Sequence, residues 1–203
     1  VTILSLGSHF ALDVMKKPLA MGSDQLILLQ DDSFDNLDAY STAFALSKGI
    51  QKIGSYDLIL CGRQASDWDN AQVPQGIAEF LDISCVTTAQ KIDISDNSLV
   101  VSRVLNDGIE IVQADLPALI SVSNELGEPR YANLKGIMAA ARKVPTVWTA
   151  DDIGLEAGGL LPKVSVTDLS LPQKDEICEF IEGQDESEIG KELAIRLRQE
   201  KLI

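Results

Sequence analysis

The chain has 203 residues, 45% of them hydrophobic, with a formal net charge of −14 and a pI near 4.4. That length and apolar content suffice for one α/β domain with a real core and exclude a disordered chain. The acidic balance argues against general affinity for nucleic acid, which needs basic surface to displace counterions, and against adsorption to anionic lipid.

No apolar run is long enough to span a bilayer and no signal-peptide pattern opens the chain, so a cytoplasmic protein without membrane insertion is expected. The acidic balance fits a soluble cytosolic protein, or one whose partner presents basic patches. Val1, not Met, begins directly in a strand pattern, and the expectation is that an N-terminal segment is missing from this chain.

Residues 1–6 read as a strand that ends at Gly7-Ser8. A helix is expected from His9 to Met21, kinked or shortened by Pro18. Gln25–Leu29 is apolar enough for a buried strand. Asp38–Ile53 has helical apolar spacing and stops at Gly54. Residues 57–61 read as a strand, 74–82 as a helix, and Cys85–Thr88 as another strand. Short strands that are apolar throughout and alternate with helices predict an open parallel sheet covered by helices on both faces, adenine nucleotide alpha hydrolase-like or Rossmann-like.

The pattern then changes. Ser98–Leu105 and Ile109–Ala114 flank Asn106-Asp107-Gly108, a strong hairpin signal. Leu119–Val122 is one more strand, and Leu134–Lys143 reads as a helix. From Pro145 to Pro172 the chain looks like an extended arm, and Glu186–Lys201 like a charged amphipathic helix. The division expected is a nucleotide-binding α/β domain over 1–145 and a C-terminal arm and helix over 146–203 that contacts a partner subunit.

The most informative stretch lies between the strand at 57–61 and the helix at 74–82. Cys61-Gly62 is followed by a polar loop, Arg63-Gln64-Ala65-Ser66-Asp67-Trp68-Asp69-Asn70-Ala71-Gln72-Val73. Such a loop is where open α/β sheets hold nucleotides, because the free N–H groups and dipole of the next helix attract phosphate. Gly62 permits either a tight strand exit or close approach of a ligand to the backbone. Gln64, Asn70 and Gln72 can donate to phosphate or adenine. Asp67 and Asp69 would repel phosphate, so they are expected to accept from ribose hydroxyls or to cap the next helix. A paired-carboxylate hydrolase would lack a base or nucleophile partner. Leu6-Gly7-Ser8 forms a second strand-to-helix turn at the same rim, with Ser8 as helix cap or as part of the site.

Cys61, Cys85 and Cys178 form no paired or metal-binding spacing and read as free, buried thiols; His9 is the single histidine. Metal ligation and His-based catalysis are not expected.

Three stretches together resemble the beta subunit of the electron transfer flavoproteins. They are Cys61-Gly62-Arg63-Gln64-Ala65 with Asp67, Asp69 and Gln72; Val101-Ser102-Arg103 with Asp107-Gly108-Ile109-Glu110 and Leu116-Pro117-Ala118; and Asn124 with Glu128-Pro129-Arg130-Tyr131-Ala132-Asn133-Leu134. Ala20-Met21-Gly22-Ser23-Asp24 fits as well. The resemblance implies a heterodimer with an alpha subunit that carries the relay flavin. The beta subunit would hold either a second FAD, as in electron-bifurcating members, or a structural AMP. Ala71-Gln72-Val73 looks more like the FAD-holding type.

Cofactor contacts implied by the resemblance are Leu6, Gly7, Cys61, Gly62, Arg63, Gln64, Ala65, Ser66, Asp67, Asp69, Asn70, Ala71, Gln72 and Val73. Arg130 would stand near the partner's flavin and favour its reduced, anionic form, while Tyr131 and Leu134 would dock an acyl-CoA dehydrogenase-type redox partner. A bifurcating member would also engage NADH and ferredoxin. The chain departs from the family pattern at Trp68 and Pro74, where glycine is usual, and at Val104, where some members carry a glutamate. The rival class is an adenine-nucleotide-binding regulatory module of the universal-stress-protein kind.

Overall fold

A continuous apolar run builds β2 (Gln25–Gln30). Leu26 and Leu28 point to one face and Ile27 and Leu29 to the other, and all four are buried. A strand apolar on both sides needs cover on both sides. The computed structural model describes residues 1–155, 160, 162–171 and 178–203 and supplies that cover. Leu26 and Leu28 pack with Leu19 and Ala140, and Ile27 and Leu29 pack with Phe34, Ala45, Ile153 and Leu155. Contacts divide the chain into Val1–Ser165 and Val166–Ile203.

In the first unit β1 (Thr2–Gly7) pairs in parallel with β2, and β2 pairs in parallel with β8 (Thr146–Trp148). The stretch expected to begin an arm therefore first contributes a strand. A second sheet has the order β3-β7-β4-β5-β6, from β3 (Leu58–Gly62), β4 (Ser84–Ser95), β5 (Ser98–Leu105), β6 (Gly108–Asp115) and β7 (Ala118–Val122). β3, β7 and the start of β4 run parallel; β4, β5 and β6 run antiparallel. The single parallel sheet expected from the sequence is thus two hydrogen-bonded sheets, one of them mixed. The physical reason is pairing: among the described residues no strand bonds the second edge of β1 or of β3.

Helices α3 (Ala39–Ile53) and α4 (Val73–Leu81) tie the two sheets together. Ala43, Ile50, Ile77 and Ala78 form one cluster with Leu119, and Leu4 of β1 and Ile59 and Cys61 of β3 pack against it. On the other face of the second sheet the curled hairpin strands supply the packing. Val86, Ala89, Leu99, Val101, Ala118 and Ile120 bury one another there, so among the described residues this face is closed by strands, not by a helix.

The expected helix over 9–21 is two single turns, α1 (Leu12–Met15) and α2 (Lys17–Ala20), with Pro18 in the first turn of the second. The strand expected over 85–88 runs on to Ser95. A register shift between Val86 and Ala89 hands it from parallel pairing with β7 to antiparallel pairing with β5. Helix α5 (Leu134–Arg142) is capped by the Asn133 side chain, which accepts from the Gly136 N–H at 2.7 Å. In the second unit α6 (Glu186–Gln199) is capped by Asp185, and Arg196 pairs with Glu179. Glu156–Gly159, Leu161 and Pro172, within the expected arm, lie outside the described residues. Among the described residues no helix is long and apolar enough to cross a membrane.

Candidate functional site

Two strand ends frame the candidate site. From β1 the chain passes to its neighbour β2, then through α3 to β3, an edge strand of the second sheet; Leu4 of β1 and Ile59 of β3 pack on the same α3–α4 cluster. In open α/β layers, ligands settle beyond the carboxyl ends of the strands. Gly7 ends β1 and Gly62 ends β3, so the two turns singled out in the sequence lie at the carboxyl ends of these strands.

Gly62 is not a glycine for conformational reasons. Its φ lies outside the left-handed region, and no atom beyond its chain neighbours lies within 4 Å of where a β-carbon would stand. The strand exit needs no glycine, and the space beside its backbone is open. At Gly7 a β-carbon would meet the Phe10 ring at 3.5 Å, an ordinary contact. The Arg63 N–H donates to the Val122 carbonyl at 2.9 Å, which carries the β3–β7 ladder one residue past the strand end.

From Arg63 to Asn70 the loop is exposed, and it is held by its own polar groups. Gln64 Nε2 donates to Asp69 Oδ1, the Asp69 N–H donates to the Ala65 carbonyl at 2.9 Å, and the Trp68 N–H donates to Asp67 Oδ1 at 2.9 Å. Asp69 (φ 55°) and Ala71 (φ 50°) adopt the left-handed conformation, which aspartate tolerates and alanine resists. Neither Asp67 nor Asp69 caps α4, contrary to one expectation. The cap position belongs to Gln72, whose side chain makes no capping bond. The first intrahelical bond runs from Gly76 N–H to the Gln72 carbonyl at 3.1 Å, and Pro74 has no N–H. That leaves the Val73 and Gln75 N–H groups at the helix start with no intrahelical acceptor. Arg63 is the one basic side chain between Cys61 and Gly76.

Ser8 does not cap a helix either. Helix α1 starts after Ala11 without a side-chain cap, and the Ser8 hydroxyl donates to Asp35 Oδ1. His9 Nδ1 lies 3.0 Å from Ser8 Oγ. Asp31, at the end of β2, accepts the Ser33 N–H at 3.0 Å and the Ala150 N–H at 3.1 Å. The Ser33 N–H, then its side chain and the Ala150 N–H, hold the Asp31 carboxyl below the ordinary carboxylate range.

Cys61 is half-buried in the α3–α4 cluster, and burial pushes its thiol up to about 11, with Cys85 adding to the effect. A thiol so placed is a packing group, not a nucleophile. The expectation of three buried cysteines fails for the other two: Cys85 and Cys178 are exposed.

Arg130 and Tyr131 lie on the irregular stretch between β7 and α5. Tyr131 is 99% exposed and Leu134 73%. Ile137 and Met138, three and four residues after Leu134, extend the same apolar helix face into solvent. This face is anchored from behind: a β-carbon at Gly136 would collide with the Ala20 carbonyl oxygen, so only glycine lets α5 close on α2.

Sequence reasoning missed Arg103. Its Nη2 donates to Thr87 Oγ1 at 2.8 Å and its Nη1 reaches Glu110 Oε2 at 3.3 Å, while its buried Nε has no partner among the described residues. The hairpin pattern sets Arg103 opposite Glu110, but no local pattern signals Thr87, which meets Arg103 through the register shift in β4. Among the described residues no group of His, Cys, Asp and Glu is placed to hold a metal ion.

Residues 1–153 match the family model described as the electron transfer flavoprotein domain. The chain is 42% identical over 187 residues to "Electron transfer flavoprotein subunit beta" of Thermoanaerobacterium thermosaccharolyticum, covering 90% of this chain and 72% of that protein. It is 37% identical over 207 residues to "Caffeyl-CoA reductase-Etf complex subunit CarD" of Acetobacterium woodii, covering all of this chain and 79% of that protein. It is 36% identical over 177 residues to the Clostridium acetobutylicum protein of the former name, covering 87% and 68%. The chain belongs to the electron transfer flavoprotein family.

Proposed function

We propose that this chain is the nucleotide-holding beta subunit of a cytoplasmic, heterodimeric electron transfer flavoprotein. Its two sheets are halves of one doubly wound α/β layer, and an adenylate group sits at the carboxyl ends of β1 and β3. The open space at Gly62 carries this proposal: glycine there serves neither the backbone nor packing, and it leaves room for a ligand against the strand end.

The parts fit an adenylate in kind. Backbone at Leu6, Gly7, Cys61 and Gly62 offers polar edges to a flat base. Arg63 and the N–H groups at the start of α4 suit phosphate. Asn70 and Gln72 add donors, and Asp67 and Asp69 suit hydroxyls in place of phosphate. Ala65, Ser66, Ala71 and Val73 shape the wall.

We assign FAD to the site in preference to AMP, from the wording Ala71-Gln72-Val73. FAD would supply the redox chemistry, accepting reducing equivalents from NADH and passing them toward a ferredoxin-like acceptor and the alpha-subunit flavin. This chain would supply placement and charge. Arg130 faces the partner subunit's flavin in this assignment. Tyr131, Leu134, Ile137 and Met138 form the dock for an acyl-CoA dehydrogenase-type partner, which the similarity to a subunit of a caffeyl-CoA reductase complex supports. Membership in the family favours this function over the stress-protein alternative.

The test is a count of nucleotides released on denaturing the purified assembly. Two FAD and no AMP per heterodimer is the expected result. One FAD and one AMP would replace bifurcation by a scaffold role, and a colourless ATP-binding homodimer would overturn the proposal.

A further inference from the structure

Beyond Gly7 the chain builds a string of hydrogen bonds that no helix or strand requires. Asp35, five residues past the end of β2, accepts a hydrogen bond from the Ser8 hydroxyl. A carboxylate can only accept, so the direction of that bond is fixed. Lone pairs of Ser8 Oγ then face His9 Nδ1 at 3.0 Å, and Nδ1 must carry the ring proton and donate it. In the neutral imidazole this leaves Nε2 as an acceptor. The turn is braced from the other side as well, because Gln30 Nε2 donates to the Ser8 carbonyl at 3.2 Å.

The string thus joins the ends of β1 and β2 and holds an exposed imidazole in one tautomer, two residues past the carboxyl end of β1. A ring used only for packing would be buried, and a solvated ring would not need its tautomer set. We propose that His9 Nε2 accepts a hydrogen bond from the nucleoside part of the ligand at this rim, from a ribose hydroxyl or from the exocyclic amine of adenine. His9 is then a binding residue, with Ser8 and Asp35 positioning it. This contact presupposes the adenylate-holding rim proposed above.

The experiment is a calorimetric titration of the native assembly, freed of its nucleotide, with AMP, 2′-deoxy-AMP, 3′-deoxy-AMP and purine riboside 5′-monophosphate. Wild type, His9→Ala and Ser8→Ala are compared. Loss of one neutral hydrogen bond predicts AMP binding about 3- to 10-fold weaker in His9→Ala. One of the truncated ligands, the one lacking the partner group, binds wild type and His9→Ala equally, and so names the donor. A histidine-labelled chain gives a single ring signal, since His9 is its only histidine. That signal reports protonated Nδ1 in wild type and a tautomer mixture in Ser8→Ala. Unchanged AMP affinity in His9→Ala, an equal loss for every ligand, or a mixed tautomer in wild type overturns the inference and leaves the adenylate site standing. Failure of wild type to bind any of the four overturns both.

Discussion

Gly76 of α4 and Ala43 of α3 lie so close that a β-carbon added at Gly76 would stand 2.7 Å from that of Ala43. The crossing of these two helices sets where the start of α4 meets the rim, because both pack into the cluster that holds Cys61 and Ile59. Gly76→Ala gains up to about 1 kcal/mol of helix propensity. Against this stands overpacking of a tight helix crossing, about 1 to 3 kcal/mol. The expected outcome is a net loss of about 1 kcal/mol, read as a lower midpoint in thermal denaturation. A raised midpoint would show that α3 and α4 can separate without cost.

Asp38 joins two parts of the first unit that the sequence separates by more than a hundred residues. Oδ1 accepts the Ser41 N–H at 2.8 Å and caps α3, while Oδ2 accepts the N–H groups of Lys163 and Val164 at 2.5 and 2.9 Å. Burial pushes the carboxyl up, but the N–H groups of Ser41, Val164 and Lys163 outweigh it, and the net shift is downward from 3.8. A carboxyl depressed in the fold stabilises fully above its unfolded value and loses that contribution as pH falls through the folded one. Asp38→Ala is expected to cost about 2 kcal/mol at neutral pH. The gap from wild type should stay constant down to about pH 5 and close below about pH 4. Urea denaturation of both proteins across that range checks it, and a gap that widens in acid would reverse the sign.

Most elements were legible because their apolar spacing is local. Helices α3, α4 and α5 and the Asn106-Asp107-Gly108 hairpin appear within a residue or two of their expected places. β4 was only half legible, because its second half alternates with polar residues and owes its pairing to β5, not to its own hydrophobicity. The stretch 9–21 misled because the apolar residues keep a helical period across Lys16, where the chain starts a new turn. The connection between β3 and α4 was readable as a loop from glycine and polar spacing. Ser8–Asp35 and Thr87–Arg103 were not, since each pair meets only after strands are placed side by side.

Cys61 offers a check on the half-buried end of β3. With its thiol at about 11, roughly one molecule in a thousand is thiolate at pH 8. Iodoacetamide labelling of the folded chain, mapped by peptide mass, should find Cys61 the slowest of the three cysteines and Cys178 far faster. Labelling at Cys61 should catch up in denaturant. Equal rates in the folded chain would show that Cys61 is not shielded by the α3–α4 cluster.

Gly62→Val separates the fold from the site. Valine suits a strand, no positive φ opposes it, and no neighbour stands within 4 Å of the new β-carbon. Stability should therefore change by no more than about 0.5 kcal/mol. The added methyl groups would fill the space proposed for the adenylate group, so the purified assembly should lose most of its beta-subunit nucleotide, at least tenfold by release and chromatography, while the alpha-subunit flavin stays. Destabilisation together with full nucleotide content would mean that the open space at Gly62 belongs to the strand and not to a ligand.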